Sequence, residues 1–462
     1  MSHEELRWDP AMEARLRQVE ACPVAEAGQL LQEFRRQGLS NGAIYLTLAA
    51  ASAHWVDHHG PLVGHGTFNG GPLLRAEALL DASHRQLSLL HATAYVLDLL
   101  QHANYGPTVM LAMEPEGEPA AWTDEEAFLT AVESGREAWR AEHRAVGLLR
   151  TVGPAVRWPL LRAAIRSYPE NEHRLLIVWR AVQLLDDTEG WAYAEGPVRA
   201  AVQYLASRPD LSWAEALSPE WRERQLPVDA PAPVDEMRHQ AWVDRLVDCP
   251  PGSEPAVLLE AWRSGVGLAA LADMTARASS LMLYASGYDA HAVTGVHAAL
   301  DLVRGPDVPT DIRRWALGLA LCSQRTRRQK AVRSSWAGTP QEGSTPDLTE
   351  VLRLVRDDPT GLEAGAAAGR HVAAGGEVGA LYTGLMEAAL VTAGPFSVIH
   401  NVKMLWGLYQ ETLHGRPSSA VAHARAAARV VAATAGAESA DAIPVLAQWG
   451  GKGRSGLPRE GR

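Results

Sequence analysis

The chain has 462 residues, with 43 Lys and Arg against 54 Asp and Glu and a net charge of −11, so it lacks the basic excess that nucleic-acid binding calls for. Hydrophobic residues make up 47% and charged residues 21%, which allows a large packed core and excludes global disorder; the length suits two to four domains or one large helical one. Three widely separated cysteines, Cys22, Cys249 and Cys322, exclude a disulfide framework and a cysteine zinc site and fit a reducing cytoplasm.

The start, residues 1–16, is charged and reads as helix, with no apolar core and cleavage site of the secretory kind. No apolar run reaches the ~18–20 residues of a membrane helix. Helical spacing continues nearly throughout, clearly in 266–272 and 310–330, while alternating strand-like runs are almost absent. The expected class is therefore all-α: an irregular multi-helix bundle or helical-hairpin array. Helix breaks are expected at Gly60-Pro61, Gly106-Pro107, Tyr168-Pro169, Gly196-Pro197, Gly305-Pro306 and Gly394-Pro395. Four prolines in 218–235 read as an extended crossover between an N-terminal half, 1–217, and a C-terminal half, 236–448. Residues 337–347 read as a loop, 325–330 as a solvated basic helix end, and 449–462 as a frayed tail.

Dinucleotide, P-loop, nucleophile-elbow and HExxH motifs are missing; the Gly-rich stretch 64–71 has the wrong spacing and no strand before it, so a flavin or NAD domain is not expected. What stands out is histidine, 17 residues, and tryptophan, 15, against 4 phenylalanines. Histidine is the commonest metal ligand, and four segments offer it. In 54–66, His54 and His58 are four apart on one helix face, and His59 stands before Gly60-Pro61, where the helix must stop and can aim a side chain into a cavity. Some of this cluster reads as solvated helix-end histidine. His173 opens an apolar helix after Pro169, a position that by itself more often serves structure. Asp289 is a candidate N-cap with His291 in the first turn; His297, six residues on, points elsewhere, so one of the two would be a ligand. His400 and Lys403 are three apart on one face of an apolar helix. A lysine facing a core needs a reason, since a buried ammonium is costly. An anionic partner is one. Carboxylation by CO2 to a carbamate, an oxygen ligand for a metal, is another. A lysine reaching along the helix to solvent is the plain alternative.

These segments together resemble the questin-oxidase-like family, helical oxygenases linked to ring cleavage of aromatic polyketides. The similar pieces are His59-Gly60-Pro61-Leu62, His173 at the head of 173–182, His291-Ala292-Val293-Thr294, and His400-Asn401-Val402-Lys403, in the family's order over about residues 40–430. Each is short, and their joint order carries the resemblance. It implies a non-haem iron site held by His59, His173, His291, His400 and a carboxylated Lys403, and a cytoplasmic oxygenase acting on an aromatic or polyketide-like small molecule and O2. The Gly-rich 64–71 and the additional His297 depart from the pattern. Independently, nitrogen donors with one oxygen donor suit Fe(II) or another divalent metal with a position open for O2, and tryptophans could line a flat apolar pocket. The four histidines are expected to converge. Two other readings stand beside this one: a non-catalytic helical scaffold or binding protein with scattered histidines, and a zinc hydrolase using the same ligands.

Overall fold

The computed structural model describes residues 4–55, 63–101, 109–115, 117–207, 209–223, 234–287, 290–324, 345–392 and 394–435. The protein is all-α: among the described residues there is no strand or sheet, only two isolated antiparallel bridges, Glu5 with Leu111 and Trp55 with Val109. In the N-terminal half the helices run α1 (Pro10–Ala21), α2 (Ala27–Arg36), α3 (Asn41–His54), α4 (Val63–Phe68), α5 (Gly70–Ala76), α6 (Ala82–Gln101), α7 (Glu125–Ser134), α8 (Ala138–Val152), α9 (Arg157–Ser167), α10 (His173–Asp187) and α11 (Glu195–Ala206). Short helices α12 (Ser212–Ala216) and α13 (Pro219–Glu223) precede α14 (Glu236–Asp248), α15 (Glu254–Arg263), α16 (Leu268–Ser286), α17 (Ala290–Arg304) and α18 (Thr310–Leu319). The described part ends with α19 (Leu348–Asp357), α20 (Leu362–Ala373), α21 (Val378–Thr392), α22 (Pro395–His414) and α23 (Pro417–Thr434).

The helix ends follow local chemistry. Asp9 caps α1 by accepting from the Ala11 and Met12 amides, Ser40 caps α3 through Ala43, and Asp235 caps α14 through Arg238. Proline opens α22 and α23, where its missing N–H costs nothing. The break at Gly394-Pro395 thus starts a helix, and Gly196-Pro197 falls in the first turn of α11, while α9 and α17 stop just before Tyr168-Pro169 and Gly305-Pro306. Residues 60–61 and 106–107 lie outside the described set, as do 224–233, 325–344 and the tail 449–462. The first residues of the expected extended crossover form α13, because Pro219 sits at a helix start rather than inside one. No described helix is long and apolar enough to cross a membrane.

One continuous apolar core runs from Met12 in α1 to Ala432 in α23, so the two halves share an interior. At its centre α10, α17 and α22 are buried over most of their surface, which is why they are apolar nearly all round rather than striped. α4 and α5 pack on α10, α5 also meets α22, and α17 touches both long helices. This crossing is where the functional candidates lie.

Candidate metal centre

Residues 64–71 fold as α4 and α5, meeting at Asn69. Their glycines are packing devices. A Cβ on Gly71 would sit 2.5 Å from the Arg180 carbonyl oxygen, and one on Gly70 would lie 3.0 Å from Leu184 and 3.3 Å from Tyr45. Bare backbone therefore lets α5 lie directly on α10 and brings α4 within reach of the first turn of α10. Gly71→Ala is expected to destabilise the fold by about 1–3 kcal/mol, since the atom it strikes is backbone and cannot rotate away. A urea midpoint equal to the parent's would show that α5 can simply slide.

That close approach places His65, 4% exposed, against His173, 8% exposed, with their Nε2 atoms 3.4 Å apart. His400, 2% exposed, joins from α22 with its ring centroid 5.3 Å from that of His65. The hydrogen bonds fix the tautomers of two of the rings. His173 Nδ1 lies 2.8 Å from Asn171 Oδ1, which also accepts from the His173 amide and so must be the oxygen. His400 Nδ1 lies 2.7 Å from the Phe396 carbonyl oxygen. Each Nδ1 therefore donates its proton to that oxygen, which in the neutral ring makes Nε2 the nitrogen able to bind a metal, the arrangement of an imidazole held by an outer partner. Phe68 and Tyr95 lie against the His65 ring, and Phe396, 46% exposed, lies against that of His400 with the centroids 4.4 Å apart and the planes tilted by 40°.

Lys403 lies one turn beyond His400, is 4% exposed, and donates from Nζ to Asn69 Oδ1 at 2.8 Å while its ammonium sits 5.1 Å from the Phe68 ring centroid. It does not reach solvent. Burial, assisted by the Arg180 charge, pulls its pKa down to about 7. An unfolded lysine keeps its proton to about 10.4, so between these values the unfolded chain binds the extra proton. Stability of the metal-free protein is expected to rise with pH across that window, by an amount on the order of a few kcal/mol, and the penalty is fully present below pH 7. Unfolding midpoints measured from pH 6.5 to about 10 check this, and Lys403→Met should flatten the slope.

Arg180, 3% exposed, leads from Lys403 into a buried charge network. Its Nη1 binds Asp301 at 2.6 Å and Gln183 at 2.7 Å. His297, between two carboxylates, lies 2.7 Å from Glu411 by Nδ1 and 3.6 Å from Asp301 by Nε2, and Arg304 grips Glu411 at 2.8 and 2.5 Å. Burial pushes the Glu411 carboxyl up, but Arg304 and His297 outweigh it and hold it well below the usual carboxylate range. The additional histidine thus ties α17 to α22.

Of the expected ligands, the structure gathers His173, His400 and Lys403. His59 lies outside the described residues, and of His291 only the backbone is described, in the first turn of α17. His65 and Asn69 join His173, His400 and Lys403 from outside the sequence pattern. The signal available was the Gly-His-Gly triplet at 64–66, where small neighbours clear space around one ring. His54 ends α3 with its two nitrogens on Glu20 at 2.7 Å and Glu5 at 2.9 Å, so it serves the N-terminal segment. Trp406 is the tryptophan that borders Lys403.

The donor chemistry fits a metal, and so does the spacing of the first pair, since a tetrahedral ion with bonds of about 2.1 Å has ligands about 3.4 Å apart. Among the described residues, the group whose three His, Cys, Asp or Glu donors all lie within 4.8 Å of one another is Asp81, His84 and Glu387 at the surface. His65, His173 and His400 are spread more widely than that as a trio, so one ion shared by all three requires a ring to move inward. The Asp81 group is a capping arrangement: Asp81 Oδ1 already accepts from the Ser83 and His84 amides and the Ser83 hydroxyl. Compared with known protein families, with curated proteins and with solved structures, the chain matches none of them.

Proposed function

We propose that this chain is an iron-dependent oxygenase of the questin-oxidase-like kind, acting on an aromatic or polyketide-like small molecule with O2, with cleavage of a ring C–C bond as the candidate reaction. The observation that carries the reading is the gathering of three buried imidazoles, His65, His173 and His400, two of them with Nδ1 held by an oxygen acceptor. Iron(II) held by them would supply the one-electron chemistry with dioxygen that side chains lack. Asn171 and the Phe396 carbonyl orient the rings, and Asn69, four residues after His65, holds Lys403. In the carboxylated form Lys403 would add an oxygen donor. The buried Phe68 and Tyr95 keep water from the rings, and the half-exposed Phe396 offers a flat apolar face suited to an aromatic ring.

Protein purified without oxygen is expected to contain about one equivalent of iron and to consume O2 when given aromatic polyketide-type phenols. Protein that is free of metal and cannot be reconstituted favours the helical scaffold instead. Stoichiometric zinc without O2 uptake favours a hydrolase.

A further inference from the structure

Beside Lys403, on the side turned toward α10 and α17, the core holds a small cavity that gives the centre of a water-sized sphere about 10 Å³ to move in, so that one water or one small ion can occupy it. It is lined by Phe68, Pro72, Leu176, Thr294 and Trp406 and by two cationic side chains, Arg180 and Lys403. Both are more than nine-tenths buried, at 3% and 4% exposure. A void between two buried cations is an electrostatic oddity, because each charge has left water and the two repel.

The neighbouring carboxylates do not balance them. Asp301 is engaged by Arg180, and Glu411 is gripped by Arg304. His297 bridges those two carboxylates and can only leave the tally unchanged or make it more positive. Lys403 has a neutral amide, Asn69, as its hydrogen-bond partner, which uses one of three ammonium donors. Among the described residues, the protonated form of Lys403 therefore leaves one positive charge over at the cavity wall. We propose that this cavity is a binding site for a small monovalent anion of about chloride size, held between the Arg180 guanidinium and the Lys403 ammonium with Thr294 on its rim. The proposal shares Lys403 with the oxygenase reading but does not depend on a metal. In a carboxylated Lys403 the carbamate would itself be the anion beside Arg180, so the two occupancies exclude each other.

The test uses metal-free protein in CO2-free buffer at about pH 6, where Lys403 keeps its proton and no carbamate forms. At constant ionic strength, replacing sodium gluconate, whose anion is too large for the cavity, by sodium chloride or bromide should raise the thermal midpoint saturably by a few degrees. Crystals grown in bromide should show an anomalous peak between Arg180 and Lys403. Arg180→Gln and Lys403→Met should each abolish the saturable rise; if the Arg180 variant does not fold, the Lys403 variant and the bromide peak decide. A midpoint that rises equally in gluconate, a rise that persists in Lys403→Met, or a cavity without bromide overturns the anion site. None of these outcomes bears on whether iron binds, so loss of the anion site leaves the oxygenase reading standing, and absence of iron leaves the anion site standing.

Discussion

Replacing His65 by alanine is expected to lower iron affinity by more than about 100-fold, beyond the ~10–100-fold that loss of an outer partner of a ligand costs. The imidazole stands between the other two, with His173 Nε2 at 3.4 Å and the His400 ring at 5.3 Å, so its removal takes away a donor and the packing that keeps the pair apart from solvent. Asn171→Ala is the matched control. It touches no ion, but it frees the His173 ring to rotate and change tautomer, and it should fall inside the ~10–100-fold range. Competition against a chelator of known affinity measures both. Equal iron occupancy in His65→Ala and the parent would remove His65 from the site and return the reading to the histidines of the sequence pattern alone.

Lys403→Ala should lose metal and activity together if the side chain is carboxylated and serves as an anionic ligand. Lys403→Glu should keep more of both, because it retains an oxygen donor on the same helix face, though its shorter reach misplaces it. If Lys403 instead remains an ammonium beside the ion, repulsion between the two cations means that Lys403→Ala binds metal more tightly than the parent. A surface lysine would leave stability within about ±0.5 kcal/mol, an outcome the burial of this side chain already argues against. Metal stoichiometry in the two variants separates the remaining cases, and full iron occupancy in Lys403→Ala excludes the ligand role.

The helical class was readable because periodicity and breakers agree along the chain. Pro169 and Asn171 set the start of α10 so that His173 is its first residue, and Gly394-Pro395 starts α22 so that His400 falls in its second turn. The partner of those residues was not readable. The i, i+4 spacing of His54 and His58 assumes a helix running through both, but α3 ends at His54, whose ring two glutamates claim. The Gly-rich stretch 64–71 departs from the family pattern; Gly70 and Gly71 in it serve a contact with Leu184 and Arg180 across more than a hundred positions, and no local rule encodes such a contact. Arg180 and Asn69 were invisible for the same reason. A buried arginine and an asparagine before a glycine pair have no periodic signature, and their roles exist only where α5, α10 and α22 cross.

The hydrogen bond from Lys403 to Asn69 joins residues 334 positions apart. Seen from the ribosome, that separation is a waiting time. At about 5–20 residues per second, roughly 15–70 s pass between synthesis of the first residue and the second. Through that interval α4, α5 and α10 have been made while the helix that covers them has not, so their apolar faces and the half-built histidine pair stand open to solvent. Nascent chains of this protein should therefore recruit chaperones until α22 emerges, and a stop codon placed just before Pro395 should yield a product that aggregates rather than a smaller folded protein.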